Sequence, residues 1–297
     1  MLELVGPTAG QNYRAALGDA WKQLGYDDPL DAPAKSSFCE FRSKISHRFF
    51  QNLFQDVLIK NQTTAVKLKG FRVYAVDADQ FQIPPSQNIL SHNFRGQRVG
   101  AKSEESYMAR MYISHAFDVL SGTTKELIYT TNYQECPNAY DMARSSFEKE
   151  SITLYDRLYF TENLVQAHAD AQNFFIARCK KKSTYRAIVA LGASKKRQSE
   201  LRIKNGMRVR LVHIKHPNSK ETAIFATNLP NSLFSDKEIS DLYCYRWKVE
   251  TSFRVITSIF KLEQWHSKSL NGILQELFAT LWLINFLNPI VQKTYVH

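Results

Sequence analysis

Two short runs rich in β-branched and aromatic residues each lead into an aspartate, and this pairing constrains the fold more than any other feature of the chain. Residues 71–76 read as a strand that ends at Asp77, with Ala78 and Asp79 beyond it and the breaker pair Pro84, Pro85 to follow. Residues 151–155 read as a strand that ends at Asp156, ahead of a polar helix start at Thr161 and Glu162. Between them the alternation of Ala109, Met111, Ile113, His115 and Phe117 predicts a second strand, turned by Ser121, Gly122, Thr123 and Thr124 into a third over residues 127–130. A helix starting near Asn138, another over residues 162–171 and a strand over residues 174–177 complete the pattern. The order is three strands, helix, strand, helix, strand. It implies an α/β fold with a mixed sheet flanked by helices, and it brings both aspartates to one edge of that sheet.

A third carboxylate is predicted on a helix. At 3.6 residues per turn Tyr243, Arg246, Glu250, Arg254, Thr257 and Lys261 form one stripe, beside apolar surface from Trp247, Val249, Phe253, Ile256 and Phe260. On its own this is an ordinary solvated helix, with Glu250 and Arg254 forming an i,i+4 pair that contributes about 0.2–0.5 kcal/mol. With two strand-end aspartates elsewhere, Glu250 completes a candidate metal-binding triad of Asp77, Asp156 and Glu250. Asp79 is the rival at the first position, because residues i and i+2 of a strand share a face.

The distribution of charge points to the partner. The net charge is +11, and between Arg178 and Lys220 there are 14 lysines and arginines against one acid, Glu200. That segment carries more than the whole net charge, so a polyanion explains it better than solubility does, and nucleic acid is the leading polyanion. Lys195, Lys196 and Arg197 form its densest cluster. Arg208 and Arg210 alternate with Met207, Val209 and Leu211, which predicts a small antiparallel sheet with a basic face. The cysteines, Cys39, Cys136, Cys179 and Cys244, form no CxxC pair and suggest neither a disulfide framework nor a zinc site. The start of the chain lacks the features of a signal peptide. The longest apolar stretch, residues 277–287, is shorter than the roughly 20 residues of a membrane span and reads as a buried helix. A cytoplasmic, nucleoid-associated protein is expected.

These blocks resemble those of the DDE insertion-sequence transposases. The family signature is Tyr, two residues, Arg, three residues, Glu, six residues, Lys; Tyr243, Arg246 and Glu250 match it, and Thr257 stands at the lysine position. Asp156, Arg157, Leu158, Tyr159, Phe160 is similar to the Asp-Arg-Gly-Tyr-Phe block, with Leu158 for glycine. Asp77 resembles the first aspartate, with Ala78 and Asp79 where Gly and Thr or Ser are usual. The resemblance covers residues 70–290. It implies a ribonuclease H-like catalytic domain over residues 71–297, interrupted by a basic β-rich insertion at about 180–235, after an N-terminal helical region over residues 1–70, where Ser37 and Glu40 form a capping-box pattern.

The resemblance further implies metal-dependent hydrolysis at element ends and joining of the freed 3′-OH to target DNA. Two Mg2+ ions, replaceable by Mn2+, would be held by Asp77, Asp156 and Glu250. The partners would be double-stranded terminal inverted repeats and target DNA, with no membrane, and the protein would act as a dimer when assembled on DNA ends. Tyr243, Arg246, Arg254 and Lys261 are the expected phosphate contacts beside the scissile bond. The hairpin stage of such reactions uses a tryptophan from the insertion; none lies between residues 178 and 242, where Tyr185 or Phe225 could substitute. Two other readings stay open at this point: a decayed or repurposed transposase that binds DNA without cutting it, and a metal-dependent nuclease without strand transfer.

Overall fold

The structure, a computed structural model, describes residues 13–26, 28, 31–62, 65–95, 109–180, 182–204, 206–215, 222–259 and 262–294. Its centre is an eight-stranded sheet in the order β3-β2-β1-β4-β5-β8-β7-β6. Strands β1 (Arg72–Ile83), β2 (Ala109–Asp118) and β3 (Thr123–Thr130) form an antiparallel meander, and β4 (Ser151–Tyr155) and β5 (Phe174–Arg178) continue it in parallel. This is the mixed, ribonuclease H-like sheet expected from the sequence. One detail differs: β1 does not stop at Asp77. Antiparallel pairing with β2 runs from Tyr74↔Asp118 to Ile83↔Ala109, and it holds the backbone extended for six residues past the aspartate. On the other side, pairing with β4 ends at Val76↔Tyr155.

Alternation along the central strands divides the core. Val73, Ala75, Ile152 and Leu154 face one layer, built from α3 (His47–Gln62), α8 (Asp236–Tyr243), α9 (Trp247–Arg254) and α10 (Leu270–Thr294). Tyr74, Val76 and Tyr155 face the other, built from α5 (Glu135–Ser145), α6 (Glu162–Asp170) and α7 (Arg186–Ala193). Both faces of β4 are covered, which is why all five of its residues are buried. At the end of the sheet away from Asp77, the Arg72 guanidinium is 2.7 Å from the buried Asp118 carboxylate. Removing one partner of such a pair would cost about 3–5 kcal/mol.

The N-terminal region is helical, with α1 (Tyr13–Gln23) and α2 (Lys35–Lys44) preceding α3 and α4 (Gln87–Ser91) following β1. The capping box at Ser37 and Glu40 does not form: α2 starts three residues earlier, after Ala34, so Ser37 lies inside the helix. The contact that fixes α2 comes from its other end. Buried Arg42 donates to Gln275 Oε1, to the Gly272 carbonyl and to Glu276 Oε1, and so ties the region to α10. By length and composition α10 could cross a membrane; 67% of that stretch is nonetheless buried against α3 and the sheet, the packing of a core helix.

The basic segment holds antiparallel strands β6 (Gln198–Arg202), β7 (Arg208–Lys215) and β8 (Thr222–Thr227), as expected, but they do not form a sheet of their own. Pairing of β8 with β5, from Ile176↔Thr227 to Arg178↔Phe225, fuses them to the main sheet. Helix α7, which the sequence reading left out, packs Ile188 and Leu191 beneath them.

Candidate active site

The β1–β4 register places the first two carboxylates. Val76↔Tyr155 is the last parallel pair, so Asp77, within β1, and Asp156, the first residue after β4, directly follow it on two neighbouring segments. By alternation both belong to the face of Ala75 and Leu154, the face on which α9 packs. Each carboxylate is braced by the following amide: Ala78 N–H donates to Asp77 Oδ1 at 3.0 Å and Arg157 N–H to Asp156 Oδ1 at 2.6 Å. Asp79 lies further along the unpaired edge of β1, is exposed, and accepts from Gln80 N–H.

Glu250 arrives from the α8–α9 segment. Ser235 and Glu238 form a reciprocal capping box that starts α8, and a 3-10 turn at Cys244–Arg246 redirects the chain into α9. Val249 and Phe253 bury one side of α9 against the sheet, leaving Glu250 partly exposed at its margin. Arg246 then joins two of the acids: Nη2 is 2.5 Å from Glu250 Oε1 and Nη1 is 3.4 Å from Asp77 Oδ2. Its guanidinium also lies over the Trp247 ring, 4.7 Å from the centroid. Only 5% of Arg246 is exposed, and its Nε is buried without a partner.

The electrostatics match this crowding. Burial pushes Asp77 up to about 6; Ala78 N–H and Arg246 oppose the shift, while Glu135 and Glu250 add to it. Burial works against the charge of Arg246, yet its hydrogen bond to Glu250 and the fields of Tyr243, Glu250 and Asp77 leave its pKa raised. Asp77 and Glu250 meet at this guanidinium, and among the described residues no three carboxylate, imidazole or thiol groups are close enough to hold one metal ion as they stand. The donor set nonetheless suits a hard divalent cation, since carboxylate oxygens already share a positive charge between β1 and α9.

The other predicted residues are distributed unevenly. Tyr243 is buried, its ring 4.7 Å from that of Phe225, so both belong to the core. Arg254 is exposed; a wide π turn at Val255–Ile259 follows it and breaks the 3.6-residue stripe that aligned Thr257 and Lys261 with Glu250. Lys261 lies outside the described residues. Lys195, Lys196 and Arg197 are exposed in the turn between α7 and β6, and Arg208 is exposed beside Glu200. Arg210 departs from the expected basic face: its guanidinium is turned inward onto Asp236 Oδ1 at 2.5 Å and the Phe234 carbonyl at 2.8 Å, anchoring β7 to the start of α8. Tyr185 packs against Phe160 with ring centroids 5.6 Å apart.

Two features of the site escaped the sequence reading. Arg157, which follows Asp156 in the chain, lines a cavity of about 720 Å3 together with Arg178, Lys180, Lys182, Ile188 and Ile224. Glu135, in the first turn of α5, is buried on the opposite side of Asp77 and contributes to that group's raised pKa. Its signal was an acid at a helix start directly after the third strand, obscured because the helix was expected to begin three residues later.

The chain matches the transposase DDE domain over residues 68–286, a span that contains all eight strands and Asp77, Asp156 and Glu250. It belongs to that family. Among solved structures the DDE domain protein is similar to a piggyBac transposase in a synaptic complex with hairpin DNA, at 11% identity and a TM-score of 0.47, over 74% of this chain and 47% of that one. The chain therefore spans about half the length of that transposase. No curated protein matches.

The raised pKa of Asp77 makes a stability prediction for the protein without added metal. A carboxyl whose folded pKa is about 6, above its ordinary 3.8, contributes stability that is fully present below pH 3.8 and is lost as pH rises through 6. Asp77→Asn removes that loss. It should raise thermal stability over the wild type at pH 7.5 by on the order of 1–2 kcal/mol, with the difference closing towards pH 4. A wild type more stable than the variant at pH 7.5 would show that the Arg246 contact outweighs burial.

Proposed function

We propose that the protein is the transposase of an insertion sequence, cutting element ends by metal-dependent phosphodiester hydrolysis and joining the 3′-OH to target DNA. The observation that carries this reading is the Arg246 bridge from Asp77 to Glu250, with Asp156 at the adjoining strand position. These contacts support a site to which three distant segments each contribute an acid. Bound there, two Mg2+ ions, or Mn2+ in their place, would supply an activated water and neutralise negative charge on the phosphoryl and leaving oxygens. Asp77, Asp156 and Glu250 would hold these ions, with Asp77 shared between them.

The remaining residues bind and orient DNA. Arg246 presents a planar fork that can take a phosphate at two points once cations satisfy the carboxylates. The cavity of Arg157, Arg178, Lys180 and Lys182 extends this positive surface from Asp156. Arg254 and the exposed Lys195, Lys196, Arg197 and Arg208 add further phosphate contacts that fix position without reading sequence. The partner is double-stranded DNA, first the terminal inverted repeats and then the target, with a dimer assembled on the paired ends.

A duplex carrying an element end, incubated with Mg2+ or Mn2+, tests the reading. Asp77→Ala, Asp156→Ala and Glu250→Ala should each lower strand cleavage by about a thousandfold or more while binding the same duplex within a few-fold of wild type. Normal cleavage by any of the three would remove that residue from the site. Tight end binding by the wild type with no cleavage in either metal would favour a repurposed, DNA-binding protein.

The basic turn makes a separate prediction. Replacing Lys195, Lys196 and Arg197 with glutamate should weaken binding to end and non-end duplexes alike, and flatten the slope of log affinity against log salt by about 0.9 for each lost contact. An unchanged slope would leave these side chains as solvated surface.

A further inference from the structure

The pairing that carries β1 past the end of β4 puts a histidine directly opposite Asp77. In the antiparallel register His115 of β2 is the partner of Asp77, so the two share the face covered by α9. His115 is fully buried, and its ring meets those of Phe253 on α9 and Phe117 on β2 edge-on, with centroids 5.1 and 5.7 Å away. An apolar side chain would fill such a place with no polar group to satisfy. The partners of this ring set it apart from a histidine that is merely packed.

Ser252, two residues after Glu250 on α9, donates its hydroxyl hydrogen to the Val249 carbonyl at 2.6 Å and lies 3.4 Å from His115 Nδ1. With that hydrogen engaged, Ser252 Oγ can only accept, so Nδ1 carries the ring proton. Nε2 is left as an acceptor, and the Thr124 hydroxyl on β3 donates to it at 2.9 Å. Thr124 is fixed in turn through its backbone: its N–H donates to Asn285 Oδ1 at 2.8 Å, and Asn285 Nδ2 donates to its carbonyl at 2.9 Å. All four residues are buried. A continuous row of hydrogen bonds therefore runs from α10 across β3 and β2 to α9. Donors and acceptors match along it, which gives the row one arrangement.

The row reaches α9 where that helix most needs an anchor. Helix α9 has eight residues, between a 3-10 turn and a π turn, so its placement depends on what it packs against. Ser252 is on the buried side of the turn that carries Glu250 on its open side. We propose that His115 is a positioning residue of the active site, linking Ser252 on α9 to Thr124 and Asn285 across the strand position opposite Asp77, and so setting the reach from Glu250 to Asp77. This rests on the cutting reaction proposed above and deepens it with a residue that touches neither DNA nor metal.

The test compares His115→Leu and Ser252→Ala with the wild type in single-turnover cleavage of an end-carrying duplex with Mg2+, alongside duplex affinity and amide hydrogen exchange of the full chain. Both variants should cut about ten- to a hundredfold more slowly while binding the duplex within about twofold of the wild type. The double variant should cut no more slowly than His115→Leu alone, because both changes break the same link. His115→Asn, whose amide reproduces the Nδ1 donor, should recover part of the rate that His115→Leu loses. Amides of residues 247–254 should exchange several-fold faster in both single variants, with those of β4 unchanged. Cleavage and exchange at wild-type levels in the two variants would overturn the proposal. So would equal losses of cleavage and duplex binding, the mark of plain core disruption. Where His115→Leu does not fold, Ser252→Ala decides by the same criteria. If the wild type itself cuts no duplex, the cutting reaction falls and exchange alone judges the link: faster exchange confined to residues 247–254 upholds it, and unchanged exchange overturns it.

Discussion

The guanidinium of Arg246 is the contact on which the site depends. It joins a residue in the middle of a central strand to a residue on a packed helix, with 5% of the arginine exposed. A buried charge of this kind is tolerated only when it is well paired, so the bridge fixes the approach of α9 to β1 as firmly as the apolar contacts of Val249 and Phe253 do. It also keeps Asp77 and Glu250 from facing each other unscreened. The arginine therefore stands in for the positive charge that the carboxylates require, and it is long enough to turn towards a phosphate when that charge is supplied in another way.

The second constraint is a difference in strand length. β2 keeps β1 extended to Ile83, whereas β4 ends at Tyr155. The mismatch opens an edge beyond Val76, and side chains can reach that edge from both layers. Glu250 and Arg246 approach from the α9 side, and Glu135 and Tyr159 from the α5 side. A sheet whose strands all ended together would present its acids to one layer only.

Much of this was readable in the sequence, because strand alternation and helix starts are local properties. The β-branched runs before Asp77 and Asp156 and the alternation in β2 each carry their own signal, and the elements form where those signals lie. What was not readable depends on partners distant in the chain. Whether β1 continues past Asp77 is decided by β2, more than thirty residues later. Arg210 reads as part of a basic face by alternation, but the carbonyl of Phe234 and the carboxylate of Asp236 turn it inward. The stripe through Thr257 and Lys261 assumes a regular helix, which the π turn after Arg254 does not provide.

The central claim is that Asp77, Asp156 and Glu250 form one cation site. Fe2+ substituted for Mg2+ and driven with ascorbate and peroxide generates hydroxyl radicals at the bound ion, which cut the polypeptide beside the ligands. Fragment masses should place the cuts near residues 77, 156 and 250, and excess Mg2+ should suppress all of them together. Cuts at only one of these segments, or cuts elsewhere that Mg2+ leaves unchanged, would contradict the account.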